Sequence, residues 1–434
     1  MFYTIILVSI GKLINFFSRL FNIGSGSTWP GHIALTFNKN FIREILARNK
    51  HLKIILIAGT NGKTTTGKLI KTVLEKAGKK VFQNEAGANL MNGIASTLIL
   101  YSNRAEMVKY DFAVFEVDEN TLPLALKEFS PNYLIILNLF RDQLDRYGEV
   151  NTIVQKWRKA LASLGDKTTF ILNADDPQIA DLGKVSKTQT FYFGLNDKSL
   201  SIKKHQHAVD STYCTTCNSK LHYNTIYYSH LGDWLCKNCD YKRPSLDISE
   251  HSYSPLPGVY NKYNTIAAML AAQKIGIAQN YINSALHEFV PVFGRQEKLN
   301  IGDKNIQILL SKNPISFNES LRTISDLGAK NVLFVLNDRI PDGRDVSWIW
   351  DVDFEDYVNK FKNIIVSGDR VYDMALRIKY STLTQKLKVK IYEELNSAIK
   401  TSLKTLTGTE TLYVLPTYSA MLEVRKILTG KKIL

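Results

Sequence analysis

The chain is 434 residues long, with 45% hydrophobic and 22% charged residues, which excludes a disordered or fibrous protein and gives room for two or three domains. Its formal charge of +15 and pI of 9.4 favour anionic partners: a nucleotide, a phosphorylated substrate, an anionic lipid surface or nucleic acid. Nucleic acid ranks low, because no RNA-binding signature and no basic block interleaved with aromatics is present; the four cysteines, all in two C-x-x-C pairs, exclude a disulfide framework and point to metal binding in a reducing compartment.

Residues 1–23 are strongly apolar, with only Lys12 and Arg19 charged. No basic segment precedes the run and no small-residue cleavage site follows it, which argues against a signal peptide. The uninterrupted run is too short to span a bilayer. Two readings stand: a helix packed on the protein's own core or on a partner, and a helix resting on a membrane surface. Residues 24–31 read as a loop.

Residues 53–58 are a branched apolar run that predicts a buried strand. It breaks at Gly59 and restarts as a helix after Lys63, through Gly59-Thr60-Asn61-Gly62-Lys63-Thr64-Thr65. The two glycines allow a tight turn whose amides converge on one anion, and the new helix adds its positive end. Lys63 is placed for the outer phosphates and the Thr64 hydroxyl for Mg²⁺. The strict phosphate-loop pattern has glycine where Ile57 stands, so this is a variant.

Strands and helices then alternate: helix 64–78, strand 80–83, helix 87–101, strand 111–117, helix 121–129, strand 133–138, helix 150–163 and strand 168–172. That order predicts a mostly parallel sheet covered on both faces, with ligands beyond the carboxyl ends of its strands. Glu116, closing the third strand, is the favoured Mg²⁺ carboxylate. Asp142 and Asp145, three apart, share a helix face suited to a metal or a substrate amine. Asn173 and Asp175 are further candidates for a nucleotide contact.

Cys214 and Cys217 are followed, 18 residues on, by Cys236 and Cys239. Two such knuckles close a tetrahedral Zn²⁺ site, and four sulfur ligands leave no position open, so the metal is structural. The stretch His222–His230 alternates like a hairpin, which makes the segment a zinc ribbon inserted in the α/β domain. Gly258, Asn261 and Asn264 open a helix running to about 274, and both asparagines project from one side of its first turn. From 305 a second alternation appears, with strands at 305–310, 331–336, 362–366, 388–392 and 411–415. Helices at 316–327, 354–360, 371–379, 394–405 and 418–428 separate them.

The set Gly59–Thr65, Glu116, Asn173–Pro177, Gly258-x-x-Asn261-x-x-Asn264 and Gly294-Arg295-x-Glu297 resembles the Mur ligase family, over most of residues 50–300. The resemblance implies a fold and three segments. Residues 1–48 form an apolar helix and loop. Residues 49–293 form a Mur ligase-type central ATP-binding α/β domain, with the ribbon inserted at about 205–245. Residues 294–434 form a C-terminal Rossmann-like α/β domain. It also implies a reaction: ATP phosphorylates a substrate carboxylate, and an amine attacks the acyl phosphate. Lys63, Thr64 and Glu116 match the family's phosphate and Mg²⁺ positions, Asn264 a nucleotide contact, and Arg295 the hinge arginine near the phosphates.

The departures narrow the resemblance. Only about 50 residues precede the phosphate loop, too few for the family's uridine-nucleotide domain. Asp142 and Asp145 stand where members usually carry a histidine. The four-cysteine ribbon is not standard, and the C-terminal segment 337–351 replaces the usual amino-acid-binding signature. Together these are similar to the synthetase branch that amidates the D-glutamate α-carboxylate of lipid II. That branch works as a heterodimer with a GatD-like glutaminase, in the cytoplasm at the inner membrane face. In it, the acid completing the glutaminase's triad falls at Asp345, with Asp351 second. The rivals are a folylpolyglutamate-synthase-like or other amino-acid ligase, and a nucleotide-dependent zinc-ribbon protein acting on nucleic acid.

Overall fold

A computed structural model describes residues 2–20, 28–84, 87–103, 107–141, 150–185, 187, 189–250, 253–382 and 388–430. Asp142 and Asp145 lie outside the described residues. No described helix is long and apolar enough to cross a membrane.

The phosphate loop hangs from the middle of a sheet. Lys53–Ala58 (β1) pairs in parallel with Phe112–Glu116 (β3) on one side and Tyr133–Ile136 (β4) on the other. Val81–Gln83 (β2), Thr169–Asn173 (β5) and Thr190–Phe193 (β6) extend it, in the order β2-β3-β1-β4-β5-β6. A central parallel strand is covered on both faces and so reads as continuously apolar. The alternate residues part accordingly. Ile55 and Ile57 meet the helices Lys63–Lys76 and Val259–Ile275, while Ile54, Leu56 and Ala58 meet Met91–Tyr101 and Val150–Ala162.

Three helices ahead of β1 form a layer over that second face. The helices Phe2–Leu20, Trp29–Phe37 and Phe41–Arg48 bury Leu7, Val8, Ala34, Phe41 and Ile42 in the sheet's own core. Trp29, expected in a loop, starts a helix with Pro30 in its first turn, where a missing N–H costs nothing. Gly31 lies against Met91–Tyr101 so closely that a Cβ would sit 1.9 Å from Asn92 O. The first helix buries one stripe and leaves Ile6, Ile10, Leu13, Phe16, Phe17 and Leu20 exposed.

Between β6 and Val259–Ile275 the chain makes the hairpin His222–Tyr228 (β7) and Leu231–Leu235 (β8). Asp175, just beyond β5, fastens it to the sheet. Its carboxylate accepts from Arg243 Nη1 (3.0 Å), Leu195 N (2.9 Å) and Tyr263 OH (2.5 Å). Burial still pushes that carboxyl up to about 6. Trp234 Nε1 donates to Ala174 O beside it.

The second sheet contains Arg295–Ile301 (β9), Lys304–Leu309 (β10), Asn331–Val335 (β11), Asn363–Ser367 (β12), Val389–Ile391 (β13) and Thr411–Pro416 (β14). Its order is β13-β12-β11-β14-β10-β9, parallel except for the β9–β10 hairpin. No strand was expected at β9, because polar residues fill its sequence. Residues 354–360, expected as a helix, make two short 3-10 turns instead. Buried Arg377 claims the Ile349 and Val352 carbonyls at 3.1 and 2.5 Å and grips Glu355, so the chain folds around a guanidinium instead of extending a helix.

Candidate active site and metal centre

The phosphate loop owes its shape to two left-handed glycines and one asparagine. Gly59 and Gly62 have φ of +137° and +91°, values that side chains disfavour. A Cβ at Gly62 would meet Asn264 Oδ1 at 2.1 Å. Asn138, just past β4, clamps the loop: its Oδ1 accepts from Asn61 N (2.9 Å), and its Nδ2 donates to Asn61 O (3.0 Å). Thr60 Oγ1 donates to Phe140 O (3.2 Å) and accepts from Phe140 N (3.0 Å). The loop is therefore preformed, with the Thr60 and Asn61 amides both tied to Asn138.

Lys63 opens the helix, and its Nζ folds back on Gly59 O (2.5 Å) and Thr60 O (3.2 Å). Thr64 Oγ1 donates to Glu116 Oε2 at 2.7 Å. Glu116 is 2% exposed, and Asn84 bonds its backbone on both sides, at 2.9 Å each. A buried carboxylate and a hydroxyl facing phosphate-loop amides form a hard oxygen donor set, which fits Mg²⁺. Asp118 lines the same cleft.

Asn264 reaches the loop's far side, where its Oδ1 accepts from Thr66 Oγ1 (3.4 Å) and its Nδ2 donates to Asn261 Oδ1 (3.1 Å). The second unit closes the cleft with Arg295, Lys312 and Tyr418. Asn313 Nδ2 donates to Asn61 Oδ1 at 3.3 Å. The result is a cleft of about 350 Å³ over the loop, running into a narrower cavity lined by Thr65, Asn261 and Asn264. Of the residues singled out in the sequence, Thr60, Asn61, Gly62, Lys63, Thr64, Thr65, Glu116, Asn264 and Arg295 line this pair of cavities. Gly59 carries the loop.

Others go elsewhere. Asn173 donates to Leu137 O at 2.8 Å and Asp175 holds the insertion, so both serve the fold and not a nucleotide. Asp342 is buried, and its carboxylate accepts from Ser419 N (2.8 Å) and Ser419 Oγ at the start of the helix Tyr418–Thr429. Asp345 is exposed and outside the cleft. Its Oδ1 accepts from Ser347 N at 2.8 Å, and that bond holds the carboxyl below the usual range. Asn138 and Asn313 escaped the sequence reading; an asparagine closing a strand next to a phosphate-loop strand was the available signal for the first.

The four cysteine sulfurs lie within 4.8 Å of one another. Cys214 and Cys239 Sγ are 3.6 Å apart, and Cys217 and Cys236 Sγ 3.4 Å. Asn218 and Asp240, each following the second cysteine of a pair, take left-handed φ of 58° and 55°, and so turn each knuckle back on itself. Fully buried Trp234 packs against the cluster. Four soft sulfur donors in so small a volume fit a closed Zn²⁺ site.

A phosphate loop and an acid at the strand ends of a parallel sheet, closed by a second α/β unit, define the Mur ligase fold. Residues 57–272 match the Mur ligase middle domain and residues 310–421 the MurT ligase C-terminal domain. The chain is 31% identical to the lipid II isoglutaminyl synthase (glutamine-hydrolyzing) subunit MurT of Streptococcus pneumoniae, covering 95% of both. It is 33% identical to the Staphylococcus aureus subunit of that name, covering 82% of this chain and 83% of that one. In three dimensions it resembles a pseudomurein peptide ligase type C from Methanothermus fervidus, with TM-score 0.65 and 23% identity over 90% of this chain and 81% of that one. The chain belongs to the MurT family, a branch of the Mur ligases.

Proposed function

We propose that this chain is the ATP-dependent synthetase subunit of an amidating ligase. It converts the D-glutamate α-carboxylate of the lipid II stem peptide to an amide, using ammonia from a GatD-like glutaminase partner. The observation that carries this reading is the match to glutamine-hydrolyzing MurT subunits along nearly the whole chain, joined to an intact phosphate loop.

The chain's own groups divide the work. The loop Gly59–Thr65 wraps the phosphates, with the amides from Gly62 to Thr65 at the helix start turned to them, and Lys63 leaves the loop carbonyls to meet the outer ones. Thr64 and Glu116 hold Mg²⁺, which when bound neutralises phosphate charge for transfer. Arg295 brings a second positive charge from the other unit. Asn264 contacts the nucleoside. The substrate carboxylate becomes an acyl phosphate, and ammonia displaces phosphate from it. Ammonia is small and neutral, so a glutaminase interface replaces an amino-acid pocket. Asp345, exposed and ionised, is presented to the partner's histidine. Residues 1–48, 49–293 and 294–434 are the three functional segments. The four cysteines hold one structural Zn²⁺; elemental analysis is expected to find one zinc per chain, and four freely titrating thiols in a folded, metal-free chain would refute the site. The exposed apolar stripe of the first helix rests on the inner membrane face, where a basic chain meets anionic lipid.

Mass spectrometry of lipid II in anionic vesicles tests the whole reading. With ATP, Mg²⁺ and ammonium, the expected change is carboxyl to amide; with glutamine, the same change requires the partner. Addition of an entire amino acid would return the chain to the peptide-ligase class. A chain that never co-sediments with the vesicles would sink the membrane contact alone.

A further inference from the structure

The ribbon insertion belongs to the first unit, yet it also grips the second. Arg322 sits on the helix Pro314–Asp326 of the second unit. Its guanidinium donates to Tyr227 O of β7 and to Leu200 O at the entry to the insertion, at 2.7 Å each. Ile202 N donates to Ile226 O at 2.7 Å, so both carbonyls belong to one braced piece. Asp353, also of the second unit, makes another grip. One of its carboxylate oxygens faces His207 of the insertion, with Nδ1 at 2.5 Å and the backbone N at 3.3 Å. The other accepts from Asn318 Nδ2 of the same helix at 2.7 Å, and Asn318 Oδ1 in turn accepts from Asp353 N at 2.8 Å. A guanidinium on two carbonyls and a carboxylate shared between an imidazole and an amide are directional contacts. They fix orientation as well as distance.

The gripped helix starts in the phosphate cleft. Lys312, just ahead of it, lines the cleft, and Asn313, its cap, donates to Asn61 Oδ1 of the loop. The two units are joined by residues 288–294, which form no helix or strand, and units so joined swing unless their interface holds them. The insertion is itself fastened to the end of β5 through Asp175 and Trp234. A continuous run of contacts therefore leads from the first sheet, through the insertion, to the helix start over the phosphate loop. We infer that the ribbon insertion sets the closed arrangement of the two units, with Arg322 and His207 as positioning residues for phosphoryl transfer. Neither lines the cleft; both act by holding the second unit's groups over the loop. The inference rests on reading the cleft as an ATP site.

Arg322→Ala and His207→Ala in the full chain test this, by ATP turnover, calorimetric titration with ADP and solution scattering. Arg322→Ala is expected to lower kcat by about tenfold or more, because small misplacements of groups around a reacting phosphate are costly. ADP affinity should stay within about threefold of the wild type, since the phosphate loop lies in the first unit. With a non-hydrolysable ATP analogue bound, the variant should keep a larger radius of gyration than the wild type. Arg322→Lys, whose ammonium lacks the fork that spans two carbonyls, should fall between. A folded Arg322→Ala chain with either the wild-type kcat or the wild-type radius of gyration would overturn the proposal and leave the contacts a matter of stability alone. His207 is exposed, so His207→Ala decides the matter even if Arg322→Ala does not fold. It should lower kcat about threefold with unchanged melting, and an unchanged kcat would overturn the proposal. Failure of the wild type to bind ADP would overturn the ATP-site reading instead.

Discussion

Lys63→Ala is expected to cut ATP turnover by about a thousandfold or more, since phosphoryl transfer rests almost entirely on positioning and charge stabilisation. The structure indicates why the fold should survive the change. Lys63 Nζ rests on two carbonyls of its own loop, Gly59 O and Thr60 O, while the loop's shape is held by Asn138 and Thr60. Losing the ammonium leaves those restraints in place. Thermal melting near that of the wild type, together with lost turnover, is the expected pair of results. Near-normal turnover would remove Lys63 from the phosphate site.

Asp345→Asn is expected to abolish glutamine-dependent amidation, by about 10³- to 10⁴-fold, the scale of a triad acid that fixes a histidine tautomer. Amidation fed with ammonium should stay near wild type, because Asp345 lies outside the cleft that holds the loop, Glu116 and Arg295. Its bond from Ser347 N holds the carboxyl below the usual range and pre-positions it on an exposed turn. Equal loss of both activities would assign Asp345 to the synthetase reaction itself. Loss of neither would pass the role to Asp351. Asp342, by contrast, holds the start of the helix Tyr418–Thr429, so its substitution is a test of stability and not of the partner's chemistry.

The phosphate loop was legible because strand, glycines, lysine and helix are contiguous, and one local pattern carries the whole motif. The ribbon was legible for the same reason, as ligand spacing survives without knowledge of the fold. What escaped depends on distant residues. Asn138 is an ordinary strand-end asparagine until β1 and β4 are side by side. The alternation of β9 is hidden because Arg295, Glu297 and Lys298 are polar residues of an edge strand. Residues 354–360 carry helix-like apolar spacing at Phe354, Val358 and Phe361, yet the Arg377 guanidinium competes successfully for the carbonyls around them. Asn173 and Asp175 looked nucleotide-facing from their strand-end position, but the ribbon insertion consumes Asp175.

The position of β14 also governs how this protein is made. The last strand of the second sheet lies between β10 and β11, so a nascent chain carries β10 to β13 with a central gap until residues 411–416 emerge from the ribosome. Two long, apolar, unpaired strand edges face each other across that gap, and such edges template association between chains. A message truncated before codon 411 therefore yields a polypeptide with a complete phosphate loop and a second half that cannot close.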